Sequence, residues 1–373
     1  MDKKKYIQDI EYLLQNLPLL HKDLYALITK EKFLSIGESI IEKIKDKDFE
    51  TKYFNLLLLS LLSAIKDPHT STYTNGRKAP IYFEWLSDGY YPFIIPEDYE
   101  ESLGKRLIKI NGIDIERFCK EEEKYIAFDN EEFKKTELAR FLNDEYIVGY
   151  ISQNTEDSIR YTFEDNKTIS LKVIDPNTPV KQTSIYRIEG NKYLDMKYNY
   201  FVEKKDSTLY LKYTRCQDDS EYTIKELIKD IKNILENNPE RIILDLRNNL
   251  GGDSSLFSPI LSVLKAYKRA NNPRIYCLIN RRIFSSGVLN TYDIKHKLKA
   301  ILVGQPTGQG VNHYGEIKKI ILPNSKIEIQ YSSKYFKLVD DDSHNIFPDV
   351  LIEPTITDIM SGKDPVLDYC MKN

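Results

Sequence analysis

From Tyr222 to Gly304 the chain alternates helical and strand-like segments with a regularity that few folds accommodate. "TIKELIKDIKNILENN" carries apolar residues at helical spacing and leads into the apolar run "RIILDLR". After it come helical "GGDSSLFSPILSVLKAYKR", strand-like "RIYCLIN", helical "SSGVLNTYDIKHKL" and strand-like "KAILVG". Short apolar runs separated by helices bury both faces when the strands lie side by side and the helices cross over them, which predicts right-handed βαβ units on a parallel sheet. Two further strand-like runs, "NKYLDMKY" and "STLYLKYT", precede the alternation, so this region opens near Thr183.

The rest of the chain has a different texture. Residues 1 to 66 read as helices in "IQDIEYLLQNLPLLHKDLYALI", "EKFLSIGESIIEKI" and "FETKYFNLLLLSLLSAI", the last ending where Pro68 disfavours helix at Asp67. Residues 72 to 180 carry strand-like "PIYFEWL", "YYPFIIP", "KRLIKINGIDI" and "SIRYTF" between Gly, Asp and Asn turns, with one helical stretch around "NEEFKKTELARFL". A chain of 373 residues exceeds what one hydrophobic core usually serves. The expected organisation is a helical region over 1–71, a β-rich region over 72–180 and an α/β region over 181–373, α+β overall.

Composition excludes several functions. A net charge of -3 and the absence of a dense Lys/Arg stripe argue against a nucleic-acid surface. No apolar run reaches the length of a membrane span. Cys119, Cys216, Cys277 and Cys370 are scattered, which indicates neither a disulfide framework nor a zinc site. The start "MDKKKYIQDIEYLLQ" has no apolar signal-peptide core, so the chain as it stands reads as cytoplasmic, or as secreted or surface-bound had a leader been removed.

Two junctions carry the chemistry. "ILDLRNNLGG" ends a strand at Arg247 and turns through Gly251 and Gly252 toward a helix; "INRRIFSSG" ends another and enters a helix at Ser285. In a parallel sheet both turns lie at the carboxyl edge, where ligand crevices form, and a helix amino end offers unpaired N–H groups. Ser285-Ser286-Gly287 then has two readings: serine as a helix N-cap, or serine as a nucleophile whose oxyanion is held by N–H groups of Gly251 or Gly252 and of Ser286. A serine nucleophile needs a base, and the five histidines are His21, His69, His296, His313 and His344. His21 and His296 sit in helical, charged contexts that read as surface, while His69 follows an apolar helix and opens a turn that reads as exposed.

Taken jointly and in order, "DPHTS", "ILDLRNNLGG", "RRIFSSG", "VGQPTGQGVNHYGE", "LPNSKIEIQYSSKYF", "FPDVLIEPT" and "GKDPVLDY" resemble the C-terminal-processing and tricorn-core-like serine peptidases from about Tyr53 to the end of the chain. The resemblance implies a crotonase-like, ββα-spiral peptidase core behind a helical cap. It also implies Ser285 as nucleophile and an oxyanion hole from Ser286 and the "LGG" turn. One branch of the family takes its base from a lysine in a "GKG"-like loop; here that loop is Gly308-Gln309-Gly310. The other uses histidine in a "D-x-H-T"-like motif, which matches Asp67-Pro68-His69-Thr70 and makes His69 the base. The third member precedes a "PD" motif, and "LVDDDSHNIFPDV" supplies Asp342 with Asp341 as its rival; read without the family, the same acidic run is a solvated turn.

"LGKRLIKINGIDIERF" resembles part of a PDZ domain, a module that binds a peptide terminus as an added strand. The family implies a peptide or unfolded protein as substrate, no metal or organic cofactor, and assembly into a homo-oligomer. Two other functions remain compatible with such a fold: a non-catalytic ligand- or peptide-binding protein, and a crotonase-like acyl-transfer enzyme acting on a coenzyme A thioester.

Overall fold

The computed structural model describes residues 2–154, 156–185, 198–341 and 345–373, and the chain folds into two compact units. The strand-like run "NKYLDMKY" lies almost wholly outside the described residues.

The first unit comprises Met1–Ile185 and Tyr314–Phe336. Its helices Lys3–Leu20, Lys30–Lys45 and Phe54–Ser63 form where apolar residues recur each turn, and Asp2 and Thr29 cap the first two. Ile10, Leu13, Leu17, Phe33, Ile40 and Leu58 meet in their core. The hairpin of His313–Ile321 and Glu328–Phe336 completes that core with Ile320, Leu322, Ile329 and Tyr331, although in sequence it belongs to the α/β region. A buried acid ties the two together: Asp9 accepts from the backbone N–H of Asn324 (2.8 Å) and of Ser325 (2.7 Å) at the hairpin's turn. The β-rich part holds two antiparallel sheets. Tyr82–Leu86, Gly89–Pro96 and Gln182–Ser184 make one; Ile113–Asp114, Leu107–Ile110, Ser158–Phe163 and Thr168–Lys172 make the other. An Asn111-Gly112 turn joins Leu107–Ile110 to Ile113–Asp114 ahead of helix Ile115–Glu122.

The second unit comprises Tyr186–His313 and Lys337–Asn373. Its six-stranded sheet has the spatial order Val350–Leu351, Ile301–Gly304, Arg274–Ile279, Arg241–Asp245, Thr208–Tyr213, Tyr200–Lys205. The first five are parallel and the last pairs antiparallel, as the alternation of elements requires. Side chains of successive residues divide between the faces. Leu209, Leu211, Ile242, Leu244, Ile275 and Cys277 pack under helices Ile224–Leu235, Ser258–Asn271 and Ser286–Leu298. Tyr210, Ile243, Tyr276, Leu278 and Val303 face the terminal helix Pro365–Lys372 through Val366, Leu367 and Cys370. Each such side chain contributes roughly 1.5–3 kcal/mol on burial, so this sheet is a rigid base for whatever its edge presents. All four cysteines are buried and unpaired with one another. Among the described residues no helix is long and apolar enough to cross a membrane, and no three His, Cys, Asp or Glu side chains are grouped to hold a metal ion.

Candidate active site

In the second unit, strand Arg274–Ile279 ends at Asn280, and the chain reaches helix Ser286–Leu298 through one strained residue. Ser285 has φ 51° and ψ -127°, a region that costs a non-glycine residue on the order of 1–3 kcal/mol and persists only where the surroundings enforce it. It occupies the N-cap position but makes no side-chain cap bond, and its hydroxyl has no partner among the described residues. The N-cap reading therefore fails for Ser285. Its backbone N–H donates to Gln309 Oε1 at 2.8 Å, and the preceding N–H, of Phe284, donates to the Asn249 carbonyl at 2.9 Å.

The "LGG" turn abuts this elbow. Asn249, fully buried, donates from Nδ2 to the Tyr213 carbonyl (2.9 Å) and accepts the Gly251 N–H on Oδ1 (2.9 Å). Gly251 has φ +97°, and a Cβ there would stand 2.8 Å from Ser285 Cβ and 2.9 Å from the Ser286 nitrogen. Gly252 bridges in parallel to Cys216; the bonds use the Gly251 carbonyl and the Asp253 N–H, leaving the N–H and carbonyl of Gly252 itself outside the bridge. The carbonyl takes the Ser286 hydroxyl at 2.6 Å. Of the three expected donors, Gly251 is thus already engaged, whereas the N–H groups of Gly252 and Ser286 have no partner among the described residues. The Gly252 donor also comes from bridged backbone at positive φ (130°) and not from a helix amino end, since helix Ser258–Asn271 begins only after a short turn over Ser254–Phe257.

Buried charge anchors the turn to the sheet. Arg247 donates to both oxygens of Asp245 (2.9 and 2.6 Å) and to both of Asp364 (2.9 and 2.8 Å), and Lys212 and Tyr210 complete the shell of Asp245. Burial would raise the Asp245 carboxyl, but the adjacent Arg247 and Lys212 hold it well below the usual carboxylate range.

His69 lies in the first unit, and the turn that carries it is buried, not exposed as the sequence suggests. Asp67 organises it. Its Oδ1 accepts the His69 backbone N–H (3.1 Å) and stands 4.0 Å from His69 Nδ1; its Oδ2 accepts from the Thr70 hydroxyl (2.6 Å) and from His21 Nε2 (3.1 Å). His21 is buried, against the surface position its helical context suggests: helix Lys3–Leu20 ends just before it and turns the ring inward. Its Nδ1 accepts the Asp23 N–H (3.2 Å), so Nε2 carries the proton and donates to Asp67. Burial pushes the Asp67 carboxyl up, but the His21 bond, the His69 imidazole and Thr70 outweigh it and hold it below the usual range.

The acidic run is only partly described. Asp342 lies outside the described residues. Asp341 is exposed and its carbonyl accepts from Asn312 Nδ2 (3.2 Å); Asp340 is exposed and paired with Lys337 (3.0 Å). Among the other histidines, His296 is exposed, and His313 is buried with Nδ1 3.0 Å from the Gly310 carbonyl. Three structural residues, Asn249, Gln309 and His21, escape sequence reasoning because each acts on a partner in another segment. The one local signal is the glycine pair flanking Gln309, which marks a tight loop without revealing where its side chain points.

A hydroxyl on a strained strand-to-helix turn, beside unpaired N–H groups, is the arrangement with which serine hydrolases bind a developing oxyanion. The mixed α/β fold that carries it has solved counterparts. Mature CPAF superposes with a TM-score of 0.69 at 14% identity over 99% of this chain and 96% of that one. CPAF complexed with lactacystin gives 0.69 at 13% over 99% and 97%. The photosystem II D1 C-terminal processing protease gives 0.48 at 10% over 97% and 98%. At 13–14% identity the likeness to the CPAF structures is one of fold. No protein-family model matches the chain, and no curated relative matches it by sequence.

Proposed function

We propose that the chain is a serine peptidase that hydrolyses peptide bonds through an acyl-enzyme, with Ser285 as nucleophile, His69 as general base and a carboxylate of the acidic run, Asp342 or its rival Asp341, orienting the imidazole. The observation that carries the reading is the Ser285 elbow: a strained serine whose hydroxyl, like the neighbouring N–H groups of Gly252 and Ser286, has no partner among the described residues. His69 takes the Oγ proton as Oγ attacks the carbonyl carbon, and the two N–H groups hold the oxyanion. The imidazolium then gives the proton to the leaving amine, and water releases the acyl group by the same steps in reverse roles. The buried Asp67 anion favours the imidazolium that forms. The α/β unit is read as a crotonase-like core, the β-rich part as a PDZ-like module, and the substrate as a peptide or unfolded protein.

Fluorophosphonate labelling with peptide mapping tests this on wild type, Ser285→Ala, Ser286→Ala and His69→Ala. Label on Ser285 that is lost in the Ser285 and His69 variants and retained in Ser286→Ala supports it. Lactacystin, bound by CPAF, is expected to protect Ser285. An unlabelled wild type points instead to a ligand-binding protein on this fold.

A further inference from the structure

We infer that Gln309 is the residue that holds Ser285 in its strained conformation, acting as a positioning residue on the nucleophile's backbone. The consequence for catalysis rests on the peptidase reading; the positioning itself does not. The elbow peptides are attached to other segments by bonds from the Phe284 N–H to the Asn249 carbonyl and from the Ser285 N–H to Gln309 Oε1. The second acts on the residue whose φ is positive, and it fixes the amide orientation of Gln309, because an N–H must meet the oxygen and not the nitrogen.

The side chain is aimed by a loop clamped at both ends. The N–H groups of Gly308 (3.0 Å) and Gln309 (3.3 Å) donate to the Ile283 carbonyl, two residues before the serine. Thr307 donates its hydroxyl to the Gln309 carbonyl (2.9 Å) and accepts the Ile346 N–H on the same oxygen (3.0 Å). The Thr307 N–H donates to the Ile346 carbonyl (3.1 Å), and Asn345 Nδ2 donates to the Thr307 carbonyl (2.6 Å). Thr307, Gln309 and Asn345 are all buried. A continuous chain of bonds therefore runs from the segment just after the acidic run, through Thr307 and Gln309, to the nucleophile's own N–H. Spending that N–H on Gln309 also removes it from oxyanion binding and leaves the task to Gly252 and Ser286.

The test compares wild type with Gln309→Met, which keeps the length and removes the acceptor, and Gln309→Glu, which keeps an acceptor oxygen; Thr307→Val loosens the loop by removing the hydroxyl bond to the Gln309 carbonyl and leaves the Gln309 side chain itself unchanged. Fluorophosphonate labelling rate and hydrogen exchange of the Ser285 amide are read together. The expected result is labelling slowed about 100-fold in Gln309→Met, the cost of a nucleophile displaced by about an ångström, with faster Ser285 amide exchange and recovery of both in Gln309→Glu. Thr307→Val shifts both in the same direction by about tenfold and decides the matter if the Met variant does not fold. Wild-type labelling and exchange in Gln309→Met overturn the inference. An unlabelled wild type whose Ser285 amide exchanges faster in Gln309→Met sinks the peptidase reading and leaves the positioning intact; unchanged exchange sinks both.

Discussion

Gly251 and Ser285 are packed backbone against backbone: a Cβ on the glycine would lie 2.8 Å from that of the serine. With φ at +97° as well, Gly251→Ala combines a steric overlap with backbone strain. We expect a stability loss of about 2 kcal/mol and a fall in Ser285 labelling of at least 100-fold, because the displaced turn carries the neighbouring Gly252 donor out of place. Urea unfolding and labelling kinetics measure the two; an alanine variant labelled at the wild-type rate would separate the "LGG" turn from the reactive site.

Ser286 plays a different part from its neighbour. Its hydroxyl fastens the Gly252 carbonyl, and with it the orientation of the Gly252 N–H. Ser286→Ala removes one hydrogen bond, worth about 1 kcal/mol, so labelling is expected to slow by about fivefold and not to vanish. Complete loss would instead make Ser286 the nucleophile.

His21 donates to a buried carboxylate, and His21→Ala leaves Asp67 short of a partner in a site closed to solvent. Losing a hydrogen bond to a buried charged group costs about 1.5–3 kcal/mol. The sign of the pH dependence follows from the depressed Asp67 carboxyl: the stability it contributes is present at neutral pH and is lost as pH falls below the ordinary carboxylate value and through the depressed one. Chemical denaturation of wild type and His21→Ala from neutral pH to below pH 4, about where free carboxylates titrate, should show a gap that narrows with acid. A gap constant with pH would mean that the loss is one of packing alone.

Glu122 is the opposite case. Its carboxyl is fully buried on helix Ile115–Glu122 with no hydrogen-bond partner among the described residues, and burial, with Asp144 nearby, raises it well above the ordinary value. A raised acid keeps its proton in the folded chain after the unfolded chain has released it. It therefore costs about 1.4 kcal/mol for each pH unit above the ordinary value, until the folded carboxyl itself ionises. Glu122→Gln is expected to raise the urea midpoint at pH 8 and to leave it nearly unchanged near pH 4, where both states are protonated. An equal shift at both would refute the titration.

Much of the fold is legible in the sequence because it is encoded locally. Helical spacing in "TIKELIKDIKNILENN" and apolar runs such as "RIILDLR" place the parallel strands and their crossover helices, and the crossover rule brings the turns after Arg247 and before Ser285 to one sheet edge. The elements of the helical region are legible for the same reason, with the stop before Asp67. The location of Ser285 at a strand-to-helix junction follows from that pattern too, whereas its strained backbone does not.

What the sequence by itself determined is which residues sit at the ends of which elements; what only the tertiary structure decided is what those residues meet. His21 reaches Asp67 across 46 positions, Ser285 reaches Gln309 across 24, and Asn324 reaches Asp9 across 315. The Tyr314–Phe336 hairpin joins the helical core although its neighbours in sequence belong to the α/β unit. Periodicity reports how a segment divides its own faces between core and water, and carries no record of a partner chosen by packing. That choice turns a glutamine between two glycines into a support for Ser285, and a histidine at a helix end into the donor for a buried acid.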